Sequence, residues 1–347
     1  MSDPTPDVTL ICPGLLGPVP LIPRPFPKTP VLSRWLARGR PAAGTTLDPY
    51  LACLRAGGVA TDPERDVPTG PLSLLGEEPE TLVDGFWMRA DPVHLRPDRD
   101  QLRVFSGEAL LPTREEADAL IDAFNAHFAG DGLHLLAPVA GRWYLRVQSD
   151  PELRTTPLHQ VLGDTMAPHL PEGPGAREWM RLMNEAQMLF HASPVNRRRE
   201  SQGRPMINGL WTWGGGLLPT LAQQPPALMI GDHPLIAGLA RLGGGRHLQA
   251  DLSWERAVSS AQPALVFIDS LWSALIDRDL DGWLRGLAEL EGRVAELDGR
   301  LRRGEVVCVE LVPCLGTTWT ITAKRLRYLW RRGGLVQSLV VGAGAQD

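Results

Sequence analysis

The fold assignment of this chain depends most on Phe190 to Gly216, which reads FHASPVNRRRESQGRPMINGLWTWGGG. Three consecutive arginines are followed by two tryptophans and a triple glycine, and an asparagine stands on each side of the arginines. The preceding segment, AREWMRLMNEAQMLFHAS, is amphipathic and predicts a helix that ends before Pro194, because proline disfavours helical geometry in the residue before it. The basic segment therefore begins where a surface helix ends.

This basic segment has two possible interpretations. Guanidinium groups and free amides bind phosphate or carboxylate through charge-assisted, often bidentate hydrogen bonds. The alternative is a solvated arginine face beside a tryptophan-lined packing corner, and if the arginines are helical at most one or two can converge. Solvation does not require the neighbouring asparagines and tryptophans, so we predict an anion site built from Asn196, Arg198, Arg199, Asn208, Trp211 and Trp213.

Composition limits the classes of function. The chain has 347 residues, 43% hydrophobic and 22% charged, with a net charge of −5, which argues against a general nucleic-acid binder. Charge or proline interrupts every apolar run before about 20 residues, so no membrane span is expected. The acidic start lacks the basic region of a secretory signal, and a cytoplasmic location is expected. The spacing of the cysteines suits neither a zinc knuckle nor a redox pair, which predicts reduced, buried thiols at Cys12, Cys53, Cys308 and Cys314.

Helices and strands alternate along most of the sequence. DVTLIC (Asp7 to Cys12) and PALVFIDSLW predict buried strands, and a stripe from Leu284 to Leu301 predicts a long helix over about Leu280 to Arg303. Thr113 with Glu116 three residues later predicts a capped helix start. This pattern favours an α/β fold with a mostly parallel sheet and covering helices. We expect the core in residues 1–88 and 219–347, with an α+β subdomain inserted at 89–218.

Metal-binding and nucleophile motifs are weak in this sequence. GDHP places Asp232 beside His233, but a metal site needs three or four converging ligands, so a hydrogen-bonded structural histidine is the better interpretation. The same interpretation applies to His94 in ADPVHLRPDRD, where strand alternation would scatter Asp91, Asp98 and Asp100. The sequence contains no GxSxG, GxxxxGK[ST] or GxGxxG motif.

The segment SPVNRRRESQGRPMINGLWTWGGGLLP resembles the HPVN…R…G…N…W…G.G…P block of archaeal-type cofactor-independent phosphoglycerate mutases, members of the alkaline phosphatase superfamily. With RADPVHLRPDRDQLRVF and WMRLMNEAQMLFH, it resembles more closely the RpfE-type bacterial regulatory proteins, which are phosphoglycerate-mutase-like. KTPVLSRWLARG and LIAGLARLGG are similar to two helices of the mutases, and DGFWMRADPVHL to one of their strands. The resemblance runs along nearly the whole chain, implies an alkaline-phosphatase-like fold, and adds Arg89 to the anion site.

The resemblance fails at the positions that hold two divalent metals in the mutases. Their DG after the first strand is replaced by Pro13 and Gly14, and their VH after a later strand by Ile268 and Asp269. Their late DH.TP corresponds to VELVPCLGTT, which has Glu310 as its carboxylate, and Thr45 or Thr46 would have to replace the nucleophilic serine. Because two-metal chemistry needs several ligands around both ions, we predict no catalytic residue, no metal and no cofactor.

Three hypotheses follow. The first is a catalytically degenerate, phosphoglycerate-mutase-like protein with a regulatory or ligand-sensing role, which binds a phosphorylated small acid or a protein partner but neither nucleic acid nor a membrane. The second is an active metal-dependent mutase or phosphatase with a rearranged site, in which Mn or Mg would be held by residues among Asp91, His94, Asp269, Asp277 and Asp281. The third is a protein-interaction module that uses the tryptophan-rich surface and the late segment RYLWRR around Trp330.

Overall fold

The structure is a computed structural model of the chain, and it describes residues 6–22, 24–44, 47–78, 80, 83–98, 101–250, 254–259, 261–328 and 333–340. Thr45, Thr46, Asp100 and Trp330, which the sequence analysis named, lie outside these residues. The chain divides into two compact units, an outer unit of Met1–Ala60 with Leu221–Asp347 and an inner unit of Thr61–Thr220. The two units are described separately.

The helices and strands follow the predicted alternation. In chain order they are β1 (Val8–Ile11), α1 (Pro30–Arg38), β2 (Arg40–Ala43), α2 (Pro49–Ala56), α3 (Thr69–Glu77), β3 (Phe86–Asp98), β4 (Gln101–Phe105), α4 (Arg114–His127), β5 (Leu133–Val139), β6 (Arg142–Val147), α5 (Ala176–His191), α6 (Pro194–Ser201), β7 (Gly209–Gly216), β8 (Leu228–Ile230), α7 (Pro234–Leu242), β9 (Arg246–Leu248), β10 (Ala264–Phe267), α8 (Ser270–Ile276), α9 (Leu280–Arg303), β11 (Cys308–Val312), β12 (Thr317–Thr322), α10 (Ala323–Leu326) and α11 (Leu335–Ser338). None of the helices described is long and apolar enough to cross a membrane.

The outer unit is built on a mostly parallel sheet, as predicted. Its described strands run in the order β2-β12-β11-β1-β10-β8-β9, with β1 parallel to β10 on one side and to β11 on the other. Strands β12 and β2 join antiparallel at one edge. Because β1 is central and covered on both faces, it needs a continuous apolar run, and Val8 and Leu10 are fully buried.

Helix α9 supplies much of the outer core and also holds α1 through polar contacts. Its predicted stripe is buried at Leu287, Leu290, Val294, Leu297 and Leu301, together with Trp35 of α1. Glu291 lies in the same stripe and accepts hydrogen bonds from the backbone N–H groups of Val31 (2.7 Å) and Leu32 (3.0 Å). A carboxylate at these otherwise unsatisfied N–H groups caps α1, whose own Thr29 makes no side-chain cap.

The inner unit is an antiparallel sheet packed against helices. Its strands run β4-β3-β6-β5, and β7 pairs with β3. The predicted start of α4 is confirmed, because Thr113 and Glu116 form a reciprocal capping box. Strand β7 was not predicted, because the sequence interpretation treated its tryptophans either as part of an anion site or as a packing corner.

The inner unit begins earlier than the predicted insert. Helix α3 packs on β3 and β7, and a Cβ atom on Gly70 would lie 2.7 Å from the Cα of Met88. Since β3 itself starts at Phe86, a boundary at 88/89 would cut through this strand. Contacts therefore start the inner unit at Thr61, and not at residue 89 as predicted. The unit ends at Thr220, two residues after the predicted end at residue 218.

Candidate functional site

The three consecutive arginines do not form one site. They lie in α6, where successive residues are about 100° apart around the helix axis, so their side chains diverge. Arg197 and Arg198 are exposed, whereas the side chain of Arg199 is 0% exposed. The expectation that a helix would separate the arginines is confirmed.

Arg199 is fully engaged inside the inner unit. Its Nη1 donates to Oε2 of Glu116 at 2.7 Å, and its other two nitrogens donate to the carbonyls of Leu110 (2.8 Å) and Pro205 (2.7 Å). Arg204 donates to the second carboxylate oxygen of Glu116 at 2.8 Å. Burial acts to raise the pKa of Glu116, but its hydrogen bond from the Thr113 N–H and the two arginines outweigh burial and lower it. This ion-pair network joins α4 to α6.

Both asparagines of the segment bridge backbone groups. The amide of Asn196 donates to the carbonyls of Phe190 and Ile207, both at 2.7 Å, and its oxygen accepts from the Ile207 N–H at 2.8 Å. Asn208 accepts from the Leu95 N–H at 2.7 Å and donates to the Leu95 carbonyl at 2.9 Å. Because these amides satisfy buried backbone groups, their role in the structure is architectural.

The aromatic residues and Arg89 form a second buried network. Arg89 forms an ion pair with Asp91, and its guanidinium carbon lies 5.1 Å from the Tyr144 ring centroid. Trp213 donates from its indole to Oδ2 of Asp91 at 2.7 Å, and Trp211 donates to the Thr156 carbonyl at 2.8 Å. Of the predicted anion-site residues, six are therefore buried and only Arg198 is exposed. Anion binding by this set stays a prediction, and the internal contacts give these six residues a structural role.

The carboxyl ends of the parallel strands bring a different group of side chains to one edge of the outer sheet. Cys12 follows β1, Asp232 and His233 follow β8, Asp269 follows β10, and Cys314 follows β11. In open α/β sheets, ligands bind outside this edge, where neighbouring strands connect in opposite directions. Strand β8 connects outward to β9 through α7, whereas β10 connects across β1 to β11, so the connection direction reverses between β8 and β10.

A crevice of about 210 Å³ lies at this reversal point. Asp232, Asp269, Ser270, Glu289 and Arg293 supply its polar walls. Burial, with a smaller contribution from the charge of Asp232, raises the pKa of Asp269 to about 6. Asp269 can therefore hold or release a proton near neutral pH, whereas Asp232 accepts a hydrogen bond from the Ala250 N–H at 3.0 Å.

The strand ends of β1 and β11 carry buried thiols. Cys12, Cys53 and Cys314 are buried and free, as the sequence predicted. Burial and, secondarily, Cys314 and Asp269 raise the pKa of Cys12 far above its ordinary value, and burial with Asp48 raises the pKa of Cys314 to about 12. Because a thiol must lose its proton to act as a nucleophile or metal ligand, these groups are neutral packing residues in this environment.

Aromatic packing occupies the neighbouring part of the edge. His233 caps α7, since its Nδ1 accepts a hydrogen bond from the Leu235 N–H at 3.2 Å. Its ring lies 5.1 Å from that of Tyr50, and Tyr50 lies 5.6 Å from Trp272. His94 likewise contacts the Met206 carbonyl through Nδ1 at 2.9 Å. The interpretation of both histidines as hydrogen-bonded structural residues is confirmed.

The side chains that the structure describes do not fit a two-metal centre. Among the residues that the structure describes, no three His, Cys, Asp or Glu side chains are placed to hold one metal ion. Of the alternative ligands, Asp91 and His94 belong to the inner unit, where each has an internal partner. Asp277 ends α8 and Asp281 stands in the first turn of α9. We therefore derive no catalytic step through Mn or Mg.

The sequence interpretation named two carboxylates, Glu116 and Glu310, without predicting what they do in the structure. Glu116 was named only as part of a capping box, although it is also the partner of Arg199 and Arg204. Glu310 was named only as the residue left where the mutases have DH.TP. A charged residue inside an otherwise apolar strand, as in VCVELV, was the available signal for Glu310.

Comparisons with known proteins agree with the resemblance at the level of fold and partial sequence. No protein-family model matches the chain. It is 31% identical over 136 residues to a probable 2,3-bisphosphoglycerate-independent phosphoglycerate mutase of Geobacter sulfurreducens, covering 39% of this chain and 34% of that protein. It is 28% identical over 179 residues to the 2,3-bisphosphoglycerate-independent phosphoglycerate mutase of Methanothrix thermoacetophila, covering 46% of each. The matched segments thus span less than half of these relatives' lengths.

A solved structure, that of the PH0037 protein from Pyrococcus horikoshii, matches 95% of this chain and 91% of that one. Its TM-score is 0.58 and its sequence identity is 16%, so it supports the fold alone. The predicted α/β fold is confirmed, and the chain is phosphoglycerate-mutase-like over part of its sequence. The RpfE-type likeness stays a prediction.

Proposed function

We propose that this chain is a phosphoglycerate-mutase-like protein that has lost two-metal phosphoryl transfer and acts as a regulatory, ligand-sensing protein. One observation carries the proposal: the strand ends that should present metal ligands carry buried neutral thiols, Cys12 and Cys314, beside packed aromatic rings. Phosphoryl transfer of this type needs anionic or imidazole ligands that hold two ions about 3.5–4 Å apart. The relatives matched by sequence are named as mutases, so loss of activity is a property proposed for this chain.

The ligand of the proposed sensor is a phosphorylated small acid, and exposed cationic groups would have to bind it. Among the predicted anion-site residues, Arg198 is the exposed one. Arg199 and both asparagines use their polar groups in internal hydrogen bonds. One exposed guanidinium supports weak binding.

The loss of catalysis is tested by a coupled mutase assay with 3-phosphoglycerate and excess Mn²⁺, together with metal analysis of the purified protein. We expect no turnover above the buffer rate and no stoichiometric metal. Turnover with bound metal that disappears in Asp269→Asn would instead establish the active, rearranged enzyme. Asp122→Asn, an exposed carboxylate on α4 that belongs to none of the candidate metal ligands, is the matched control.

Ligand sensing is tested by thermal unfolding with 3-phosphoglycerate, because a ligand that binds only the folded state raises its melting temperature. We expect a concentration-dependent rise that Arg198→Ala removes, whereas Lys324→Ala in α10 leaves it unchanged. The same rise in the Arg198→Ala variant would remove this residue from the proposal. No rise with any phosphorylated acid would contradict the ligand-sensing role.

A further inference from the structure

The outer unit contains a second pocket, of about 270 Å³, that the proposed sensing of a phosphorylated acid does not use. It lies between α2 and the sheet strands β1, β11 and β12, which supply its lining. Its polar lining includes Thr9, Glu310, Thr317 and Thr318, and its apolar lining comes from Ile11, Ala52, Ala56 and Val312. At roughly 30 Å³ per water molecule, this space holds a ligand of several heavy atoms.

Glu310 is the unusual residue of this pocket. It occupies the middle of β11, opposite Thr9 on β1 and Thr320 on β12. Its neighbours Val309 and Leu311 belong to the core packed against α1 and α9, so strand alternation directs Glu310 to the other face, into the pocket. No residue that the structure describes forms a hydrogen bond or ion pair with its carboxylate, and burial raises the pKa of Glu310.

A carboxylate in such a position is unfavourable unless a partner satisfies it. Partial removal of a charge from water costs free energy, which a hydrogen-bonded opposite charge restores. The Cys314 thiol on the same wall is neutral, because burial raises its pKa to about 12. Glu310 is thus the one anionic side chain among the described lining residues, and exposed Arg55 is the cationic one.

We propose that this pocket binds a small primary ammonium compound, with Glu310 as the ion-pair partner and the nearby threonines as hydrogen-bond acceptors. An ammonium group has three donors, which matches a carboxylate flanked by hydroxyl groups. A short alkyl chain would contact the apolar wall of Ile11 and Ala52. A metal ion is a poorer fit, since a hard cation takes six or more oxygen ligands and the pocket offers one carboxylate.

The experiment is a titration of the full chain with n-butylammonium near neutral pH, followed by calorimetry or by chemical-shift changes. We expect saturable binding in the millimolar range, which is normal for so small a ligand. n-Butanol and butyrate, which have the same number of carbon atoms without the positive charge, should not bind. Saturable binding of n-butanol or butyrate as strong as that of n-butylammonium would overturn the proposal.

Glu310→Gln tests the role of the carboxylate at constant shape. It should weaken n-butylammonium binding by about tenfold or more, since a hydrogen bond to a charged acceptor is stronger than one to a neutral amide. Glu296→Gln, an exposed carboxylate on α9, is the matched control and should bind as the unmodified chain does. Equal binding by Glu310→Gln and Glu296→Gln would overturn the proposal.

A second variant distinguishes loss of the ligand contact from a folding defect in Glu310→Gln. Ala56→Leu would add a side chain at the α2 wall and reduce the pocket volume while leaving Glu310 in place. Circular dichroism should show both variants folded, and Ala56→Leu should also lose n-butylammonium binding. Unchanged binding in Ala56→Leu would place the ligand elsewhere. The result does not depend on the mutase assay, so the two proposals can fail separately.

Discussion

At the scale of single residues, the charges in this protein act mainly inside the fold. Arg199 appears in the sequence as part of a basic run, yet its side chain is fully buried and paired with Glu116. A buried ion pair is not strong evidence of stabilisation by itself, but removal of one partner leaves an uncompensated buried charge. The cost of breaking this pair is therefore measurable.

Glu116→Gln should lower the free energy of unfolding by about 3 kcal/mol, because it removes the anionic partner of Arg199 and of Arg204. The measurement is urea unfolding followed by circular dichroism. Glu115→Gln, the exposed neighbour in the same helix turn, is the control and should change stability by less than about 0.5 kcal/mol. Similar losses in both variants would show that the network contributes no more than a surface charge.

Asp269→Asn should make the stability of the protein depend less on pH. Burial raises the pKa of Asp269 from 3.8 to about 6, so the folded state favours the protonated carboxyl. The raised pKa leaves the free energy of unfolding unchanged below pH 3.8. As pH rises from 3.8 through about 6, it lowers the free energy of unfolding by up to about 3 kcal/mol.

Asparagine resembles the protonated form, so Asp269→Asn should be more stable than the unmodified chain at about pH 8 and equally stable at about pH 3. Urea unfolding at both values measures the difference, with Asp281→Asn as the exposed control. A stability difference that does not change with pH would contradict this account.

At the scale of elements, the ends of helices and strands account for most of the unusual contacts. Gly14 follows β1 with φ +78°, and a Cβ atom there would lie 2.7 Å from the backbone nitrogen of Trp272 in α8. The Gly14 carbonyl also accepts a hydrogen bond from the Trp283 indole at 2.8 Å, which ties α9 to this loop. The close approach of the loop to α8 therefore requires glycine.

Gly14→Ala should cost about 2–4 kcal/mol, since backbone strain and a steric clash both oppose it. Gly304→Ala is the matched control: Gly304 has φ +77° at the end of α9, with no atom within 4 Å of a Cβ atom built there. It should cost only about 1 kcal/mol from backbone strain. Equal losses of unfolding free energy in the two variants, measured by thermal or urea unfolding, would show that movement of α8 relieves the clash.

At the scale of the whole molecule, the inner unit interrupts the outer one at neighbouring points. The Ala222 N–H donates to the Gly58 carbonyl at 2.8 Å, and Val59 pairs with Leu221. Each unit has its own hydrophobic core. Units of this size with separate cores are large enough to fold independently.

A chain in which Ala60 is joined to Leu221 by a short glycine–serine linker should therefore fold, and so should residues 61–220 alone. Each should show a single cooperative unfolding transition and native-like far-ultraviolet circular dichroism. A noncooperative transition in either piece would show that its core is incomplete without the other. The n-butylammonium pocket should persist in the joined outer unit, because all its lining residues belong there.

Local patterns predicted the elements whose structure depends on nearby residues. The capping box at Thr113, the stripe of α9 and the buried run of β1 all appear where the sequence places them. Each of these signals is complete within a few turns of helix or a few strand residues. Strand β7 was missed because its glycines normally indicate turns, and its pairing with β3 overrides that preference.

The sequence by itself determined an α/β protein with free, buried thiols. Only the tertiary structure decided that Arg199 and Asn196 are internal, that Asp232 and Asp269 share one crevice, and that Glu310 faces a pocket where no described residue pairs with it. The physical reason is distance along the chain. Burial and pairing of these groups depend on strands and helices that the sequence separates by tens to hundreds of residues, and no local pattern records which of them become neighbours.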